Sequence, residues 1–253
     1  MLRTKLRMFA TAAALSAPFV IAGTAHAALI GASPSATASP SLYSQSFVDN
    51  FDSFSSSTWT RYSGVPSCCK TTMWSPSQVS AGSGLLNIAI SKVNGKWTTS
   101  GISNAKSSNQ TYGKWSVRFR MDKGYGTGMD MALRPQGSGT VLNFAEESSQ
   151  YGANQDTQTA TLHYGSTMVH AKTHGDFSQW NTMNVTWTPG KIVVDLNGTP
   201  WATYTSHVPS TPMHLTIQAN VGSNGYAGVN PNSSTPSKVN LQVDSITVSK
   251  YNG

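Results

Sequence analysis

The run Ile192-Val193-Val194-Asp195-Leu196-Asn197-Gly198-Thr199-Pro200-Trp201-Ala202-Thr203-Tyr204 decides the fold class. Two short segments flank Asn197-Gly198, and both of those residues tolerate positive φ, so the run predicts two antiparallel strands joined by a two-residue turn. The same pattern extends in both directions. Apolar and polar residues alternate over short runs, Gly, Pro, Asn and Ser punctuate them, and no sustained helical period appears. Strands are expected at Leu85–Ser91, Lys114–Met121, Asp130–Arg134, Thr140–Glu146, Thr157–Tyr164, Asn181–Thr188, Ile192–Leu196, Thr199–Tyr204, His214–Asn220 and Val239–Ser249. That many short strands with regular turns predict an all-β domain of two stacked antiparallel sheets.

The chain's two glutamates are adjacent, Glu146-Glu147, and close the strand-like run Val141-Leu142-Asn143-Phe144-Ala145. Acid-assisted glycoside cleavage uses two carboxyl groups facing one cleft, one ionised and one protonated. Glu146-Glu147 therefore directs attention to sugar chemistry, and to the question of where a second cleft carboxyl would come from.

Residues 1–27 read as an export signal: Arg3, Lys5 and Arg7 form a basic start, Phe9 to Ala22 is largely apolar, and Ala25-His26-Ala27 suits a signal peptidase. The apolar run contains Ser16 and Pro18 and is shorter than the ~20 residues that span a bilayer, so no membrane anchor is expected after cleavage. A secreted or periplasmic protein follows. Residues 28–46 are rich in Ser, Ala, Thr and Pro and read as a flexible lead-in, which leaves 47–253 as one domain with room for a sizeable core. Losing Arg3, Lys5 and Arg7 lowers the full chain's +7 to +4, and no Lys/Arg cluster accompanies that charge, so nucleic acid is not an expected partner. The two cysteines, Cys68 and Cys69, exclude a long-range intrachain staple and a cysteine zinc set. A strained vicinal bridge, an intermolecular pairing and two thiols all stay open. A monomer is expected.

Four stretches carry a family resemblance: Tyr112-Gly113-Lys114-Trp115-Ser116-Val117-Arg118-Phe119-Arg120-Met121, Val141 to Glu146, Ala160-Thr161-Leu162-His163-Tyr164-Gly165, and Gly175-Asp176-Phe177-Ser178-Gln179-Trp180-Asn181-Thr182. Trp187-Thr188-Pro189-Gly190, Pro212-Met213-His214-Leu215 and Gln218 continue it. In order and spacing the chain resembles glycoside hydrolase family 16 over essentially the whole domain. The resemblance implies a β-jelly-roll of the concanavalin A-like type that acts on internal β-linkages of polysaccharides with retention of configuration, without a cofactor. A β-linked polysaccharide is the implied partner. The family motif E-[IL]-D-x-x-E sits on a bulged cleft strand, its first Glu the nucleophile, its Asp an assisting acid and its last Glu the acid/base.

On this chain the nucleophile position falls on Val141, the assisting acid on Asn143 and the acid/base on Glu146. Arg134 stands before Pro135 where the family has tryptophan, and Asn181 follows Trp180 where the family often has histidine. The bulge turns Glu146 inward and leaves Glu147 as a solvated surface residue; a regular strand would swap the two. Asp130 shares a face with Ala132 and Arg134 on the preceding strand, either as a substitute acid in the cleft or as a plain ion-pair partner of Arg134. Tyr112, Arg118, Arg134, His163, Trp180 and Gln218 match substrate-contact positions, with scaffold packing or hydrogen bonding as their other role. Trp115 and Trp187 are expected in the core. Asp49 and Asp244 suit either a structural calcium or turns, and no metal is assigned. Two functions compete: a weakened or displaced β-glycan hydrolysis, and a non-catalytic glycan-binding or cell-envelope protein. A purely structural matrix role has only the fold in its favour.

Overall fold

The computed structural model describes residues 41–66, 72–148, 155–222 and 227–253. The export signal, most of the lead-in and Cys68-Cys69 lie outside the described residues. The chain forms strands β1 (Tyr43–Asp49), β2 (Thr60–Arg61), β3 (Met73–Trp74), β4 (Val79–Gly82), β5 (Leu85–Val93), β6 (Lys96–Thr99), β7 (Gly101–Ser103) and β8 (Gly113–Met121). Next come β9 (Thr127–Pro135), β10 (Val141–Ser148), β11 (Thr157–Tyr164), β12 (Thr167–His174) and β13 (Asn181–Thr188). The last are β14 (Lys191–Leu196), β15 (Thr199–Tyr204), β16 (Met213–Val221) and β17 (Lys238–Tyr251). Among the described residues no helix is long and apolar enough to cross a membrane.

Two sheets result. One runs β15-β14-β13-β8-β17-β5-β6-β3, with β1 added along β17 and β4 along β5; the other runs β12-β11-β10-β9-β16-β7-β2. Every ladder is antiparallel except the short β3–β6 pair. All ten expected strands are present. The β14–β15 hairpin turns at Asn197 (φ 53°) and Gly198 (φ 84°), as the two-residue turn requires. The Asn197 carboxamide also accepts a hydrogen bond from the Thr182 N–H (2.7 Å) and donates one to Asn181 Oδ1 (2.9 Å), which ties the turn to β13.

Period-two burial assembles the core. On β8, Trp115, Val117, Phe119 and Met121 point between the sheets, and Met183, Val185 and Trp187 on β13 and Met129, Met131 and Leu133 on β9 join them. Trp115 and Trp187 stack with centroids 5.9 Å apart, and the Trp187 indole N–H donates to the Pro209 carbonyl (3.1 Å), so its one polar atom is satisfied inside the core. Gly113 opens β8 at φ 144°, where a Cβ would run into the Ser249 carbonyl of β17; only glycine lets those strands close.

The ordered domain starts earlier than composition suggests. Tyr43–Ser46, read as part of the lead-in, belong to β1; Tyr43, Ser44 and Gln45 pair with Tyr251, Lys250 and Ser249 of β17, and the register shifts at Ser46. The strand is exposed along most of its length, so backbone hydrogen bonds and not an apolar period hold it, and composition carries no trace of that. The same reason hid β12, which is exposed for its first four residues at the edge of the second sheet.

Candidate active site

The outer face of the seven-stranded sheet carries the site. Along β9, Met129, Met131 and Leu133 enter the core, so Asp130, Ala132 and Arg134 face outward. Strand β10 begins in the same phase, with Asn143 opposite Thr161 of β11 and Ala132 of β9, but its next partner pair with β11 is Glu146 opposite Thr159. Three steps along β10 match two along β11: an extra residue is inserted as a β-bulge. Phe144 and Ala145 are both buried, while Val141, Asn143 and Glu146 emerge on one face. With Asp130, Arg134, Thr161, His163, Met168 and His170 they line an open cavity of about 420 Å³.

The register lays these side chains out in rows. Glu146 stands between Thr159 on β11 and Asp130 on β9, with Gln218 of β16 beyond Asp130 and Lys172 of β12 beyond Thr159. Directly opposed cross-strand residues have Cβ atoms ~4.5–5.5 Å apart, so the two carboxyl groups are close neighbours. Burial, reinforced by the Asp130 charge, pushes the Glu146 carboxyl up to about 7, while a hydrogen bond from Asn143 and the Arg134 cation pull the other way. Burial also raises Asp130, against the guanidinium of Arg134, whose Nη2 lies 3.0 Å from Asp130 Oδ2. Arg134 Nε donates in addition to Thr216 Oγ1 (3.2 Å). The site thus holds one carboxyl that titrates near neutrality and, beside it, a buried carboxyl raised by burial and paired with a guanidinium.

Val141 pairs with His163 across β10–β11, and His163 with Met168 of β12. Burial lowers the His163 pKa, and Arg134 and His170 lower it further. His214 of β16 sits opposite Arg134 and is lowered by burial and by that same cation. Gln218 is buried beside Asp130 and donates to Asn220 Oδ1 (3.0 Å).

Three expected substrate contacts lie elsewhere. Arg118 points away from the core on the outer face of the ten-stranded sheet, where its guanidinium lies 4.7 Å from the Trp180 ring centre and 3.0 Å from Asp244. Trp180 is also covered by Arg120 (4.8 Å). Tyr112 packs edge-on against Trp187 (5.1 Å) and Tyr251 (6.5 Å). All three belong to the sheet opposite the cavity. Glu147 is not a solvated residue: it is 2% exposed, pairs with Met129 and Gln158 on the core side of the sheet, and accepts a 2.8 Å hydrogen bond from Gln158 Nε2. Burial pushes its carboxyl up to about 8, against Lys123 and the Gln158 hydrogen bond. Asp49 accepts from Trp59 Nε1 (2.7 Å) and from the Phe51 N–H (2.8 Å), the turn role open to it, while Asp244 holds Arg118.

Sequence reading missed Met168, His170 and Lys172 on β12 and the cavity-side placement of His214. The available signal was Gly165, a turn glycine (φ 55°) right after β11, followed by a period-two set Met168, His170, Lys172 and His174.

No family model matches the chain, and no curated protein matches it in sequence. Solved structures do match it. The catalytic domain of an endo-1,3-β-glucanase (laminarinase) from Thermotoga petrophila superposes with a TM-score of 0.73 at 16% identity, over 83% of this chain and 99% of that one. The laminarinase from Rhodothermus marinus gives 0.72 at 19%, over 83% and 98%. A GH16 protein of the Bacteroides ovatus mixed-linkage-glucan PUL, in complex with a G4G4G3G product, gives 0.70 at 15%, over 80% and 99%. At such identities the likeness establishes the fold, a two-sheet jelly-roll sandwich shared with family 16 glucanase domains.

Proposed function

We propose that the chain is an exported member of glycoside hydrolase family 16 whose cavity holds a β-linked polysaccharide and whose hydrolysis is lost or strongly slowed. One observation supports this: Val141, which the family resemblance aligns with the attacking carboxylate, faces the cavity on the same side of β10 as Glu146. Glu146 can still deliver a proton to a glycosidic oxygen, being protonated below about pH 7. The retaining reaction then requires an anion to capture the anomeric carbon, and an isopropyl group has no lone pair to give. Loss of a nucleophile typically removes a factor of ~10⁴ or more in rate. Binding draws on other groups: Thr161, Asn143 and His163 border the cavity and offer polar atoms to sugar hydroxyls.

A second reading, displaced hydrolysis, rests on Asp130. It stands directly across from Glu146 in the β9–β10 register, so the two carboxyl groups face one cavity as neighbours. Against it, Asp130 is 3% exposed and held by Arg134.

Reducing-sugar release from laminarin, lichenan, agarose and carrageenan decides between them, measured for the wild type, Val141→Glu, Glu146→Gln and Asp130→Asn. Activity only in Val141→Glu supports lost chemistry on an intact cleft. Wild-type activity abolished by both Glu146→Gln and Asp130→Asn establishes the displaced pair and ends the binding-only account. Affinity electrophoresis through the same polysaccharides reads binding directly. Export is checked by sequencing the mature N-terminus, which the leader places at Ala28.

A further inference from the structure

The loss of hydrolysis argued above concerns a glycan that takes its nucleophile from the protein. We propose, resting on that carbohydrate reading, that the cavity cleaves a β-linked polysaccharide of 2-acetamido-2-deoxy sugars, whose own acetamido oxygen attacks the anomeric carbon in place of the missing carboxylate. Substrate-assisted cleavage of this kind needs one proton donor from the protein, room beside the anomeric carbon and an acceptor for the acetamido N–H. Glu146 and Val141 line the cavity from one face of β10, with Asn143 between them. Asn143 is 9% exposed and hydrogen-bonds Glu146, yet its Oδ1 is buried without a partner. A buried acceptor left open is costly, so Asn143 marks a place for a ligand donor. Val141 is uncharged and shorter than glutamate, which leaves space at that position and an apolar contact for a methyl group. Two residues along a strand span about 6.5 Å, a distance that one acetamide bridges with its methyl on Val141 and its N–H on Asn143. A sugar hydroxyl would satisfy the acceptor but set a polar group against Val141. The acetamide suits both.

In β-glycosides of gluco or galacto configuration the 2-acetamido group lies trans to the leaving oxygen, so its carbonyl approaches C1 from the opposite face. The carbonyl oxygen gives an electron pair to C1 as the C1–O bond to the leaving sugar breaks, and the leaving oxygen takes the Glu146 proton. Glu146 suits this step, since burial and then the Asp130 charge hold its carboxyl up to about 7. The product is an oxazolinium ion, its N–H donated to Asn143 Oδ1, beside a Glu146 carboxylate. Water then gives a proton to Glu146 and attacks C1, while the C1–O bond to the acetamide breaks and its electron pair returns to the amide. Configuration is retained, and the acetamide and Glu146 are both restored.

Chitohexaose, its de-N-acetylated counterpart and cellohexaose share one β-1,4 backbone and differ at C2. Incubation of each with the full mature protein, with products read by mass spectrometry and binding by calorimetry, is expected to show cleavage of chitohexaose alone. The thiazoline analogue of N-acetylglucosamine, which mimics the oxazolinium ring, is expected to inhibit the wild type. Glu146→Gln is expected to lower kcat on chitohexaose about 10²-fold or more. Asn143→Leu is expected to lower it about 10²-fold, while Asn143→Asp, which keeps the acceptor, retains cleavage. Val141→Glu sets an anion where the acetamide lies and is expected to abolish chitohexaose cleavage. Cleavage of cellohexaose as fast as chitohexaose, or chitohexaose cleavage that survives Val141→Glu, overturns the inference. Binding of chitohexaose or laminarin with no wild-type cleavage of chitohexaose also overturns it, and leaves the reading of a glycan-holding cavity standing. No binding of any of these glycans, laminarin included, overturns both.

Discussion

Replacing Glu147 with glutamine isolates the energetic effect of one buried carboxyl. Glu147 is 2% exposed on the core side of β10, with Gln158 as its hydrogen-bond partner, and its carboxyl is raised from 4.5 to about 8. A group whose folded value lies above its unfolded one stabilises fully below the unfolded value, and that contribution is lost as pH rises through the folded one. The window here runs from about 4.5 to about 8, and a displacement of that size corresponds to roughly 4–5 kcal/mol across it. Glutamine keeps the shape and can pair with the Gln158 carboxamide, but it never ionises. Urea unfolding of wild type and Glu147→Gln at pH 5, 7 and 9 is expected to give a stability difference that moves in favour of the variant by about 3–5 kcal/mol between pH 5 and pH 9. Glu146 and the histidines titrate in both proteins and cancel in the difference. A gap that stays constant over the whole range refutes the reasoning, because it would mean that Glu147 titrates alike in folded and unfolded chains.

Arg134→Met leaves the buried Asp130 carboxyl without its cation, at an expected cost of roughly 3 kcal/mol in chemical unfolding at alkaline pH, where Asp130 is ionised, shrinking as acid protonates it. The same substitution removes a cation acting on His163 and His214, so both imidazole titrations followed by NMR are expected to move to higher pH. Gly113→Ala forces a Cβ into the Ser249 carbonyl at φ 144°, and a loss of at least about 2 kcal/mol in thermal or urea unfolding is expected. Deletion of Ala145 converts the bulge to a regular strand without changing the face of any residue after it, so the chain is expected to fold with Glu146 still titrating near 7 by NMR; a Glu146 carboxyl returned to 4.5 would contradict the bulge.

Much of the fold was legible because each two-sided strand writes its burial into the sequence. β8 alternates Trp115, Val117, Phe119 and Met121 with Lys114, Ser116, Arg118 and Arg120, and that alternation is the core and the outer face seen edge-on. Asn197-Gly198 is legible because two positive φ values in succession demand residues of that kind. Edge strands are not legible in this way. β1 and β12 bury little, their contribution is backbone pairing, and a polar edge strand has the composition of a loop. What went unread on β12 therefore included Met168 and His170, two residues that line the cavity.

The site was legible only in part, because a motif locates residues along the chain while function depends on which way they face. Tyr112, Arg118 and Trp180 lie in the stretches that resemble the family, yet period-two alternation on β8 already sends Arg118 to the face opposite Trp115 and Val117, and Trp180 follows it there through its contact with that guanidinium. Glu146 and Glu147 make the same point at closer range. They are neighbours of identical chemistry, and the strand places them on opposite faces of one sheet: Glu146 in the cavity beside Asp130 and Arg134, Glu147 against Gln158 at the core. Both carboxyls are raised by burial, but only the one in the cavity can pass its proton to a bound molecule. The inserted residue at Phe144-Ala145 is what brings Glu146 to the face that Val141 and Asn143 already occupy; in an unbroken alternation from Val141 that place would fall to Glu147. A carboxyl raised by burial and the aliphatic side chain of Val141 thus share one wall of the cavity by geometry.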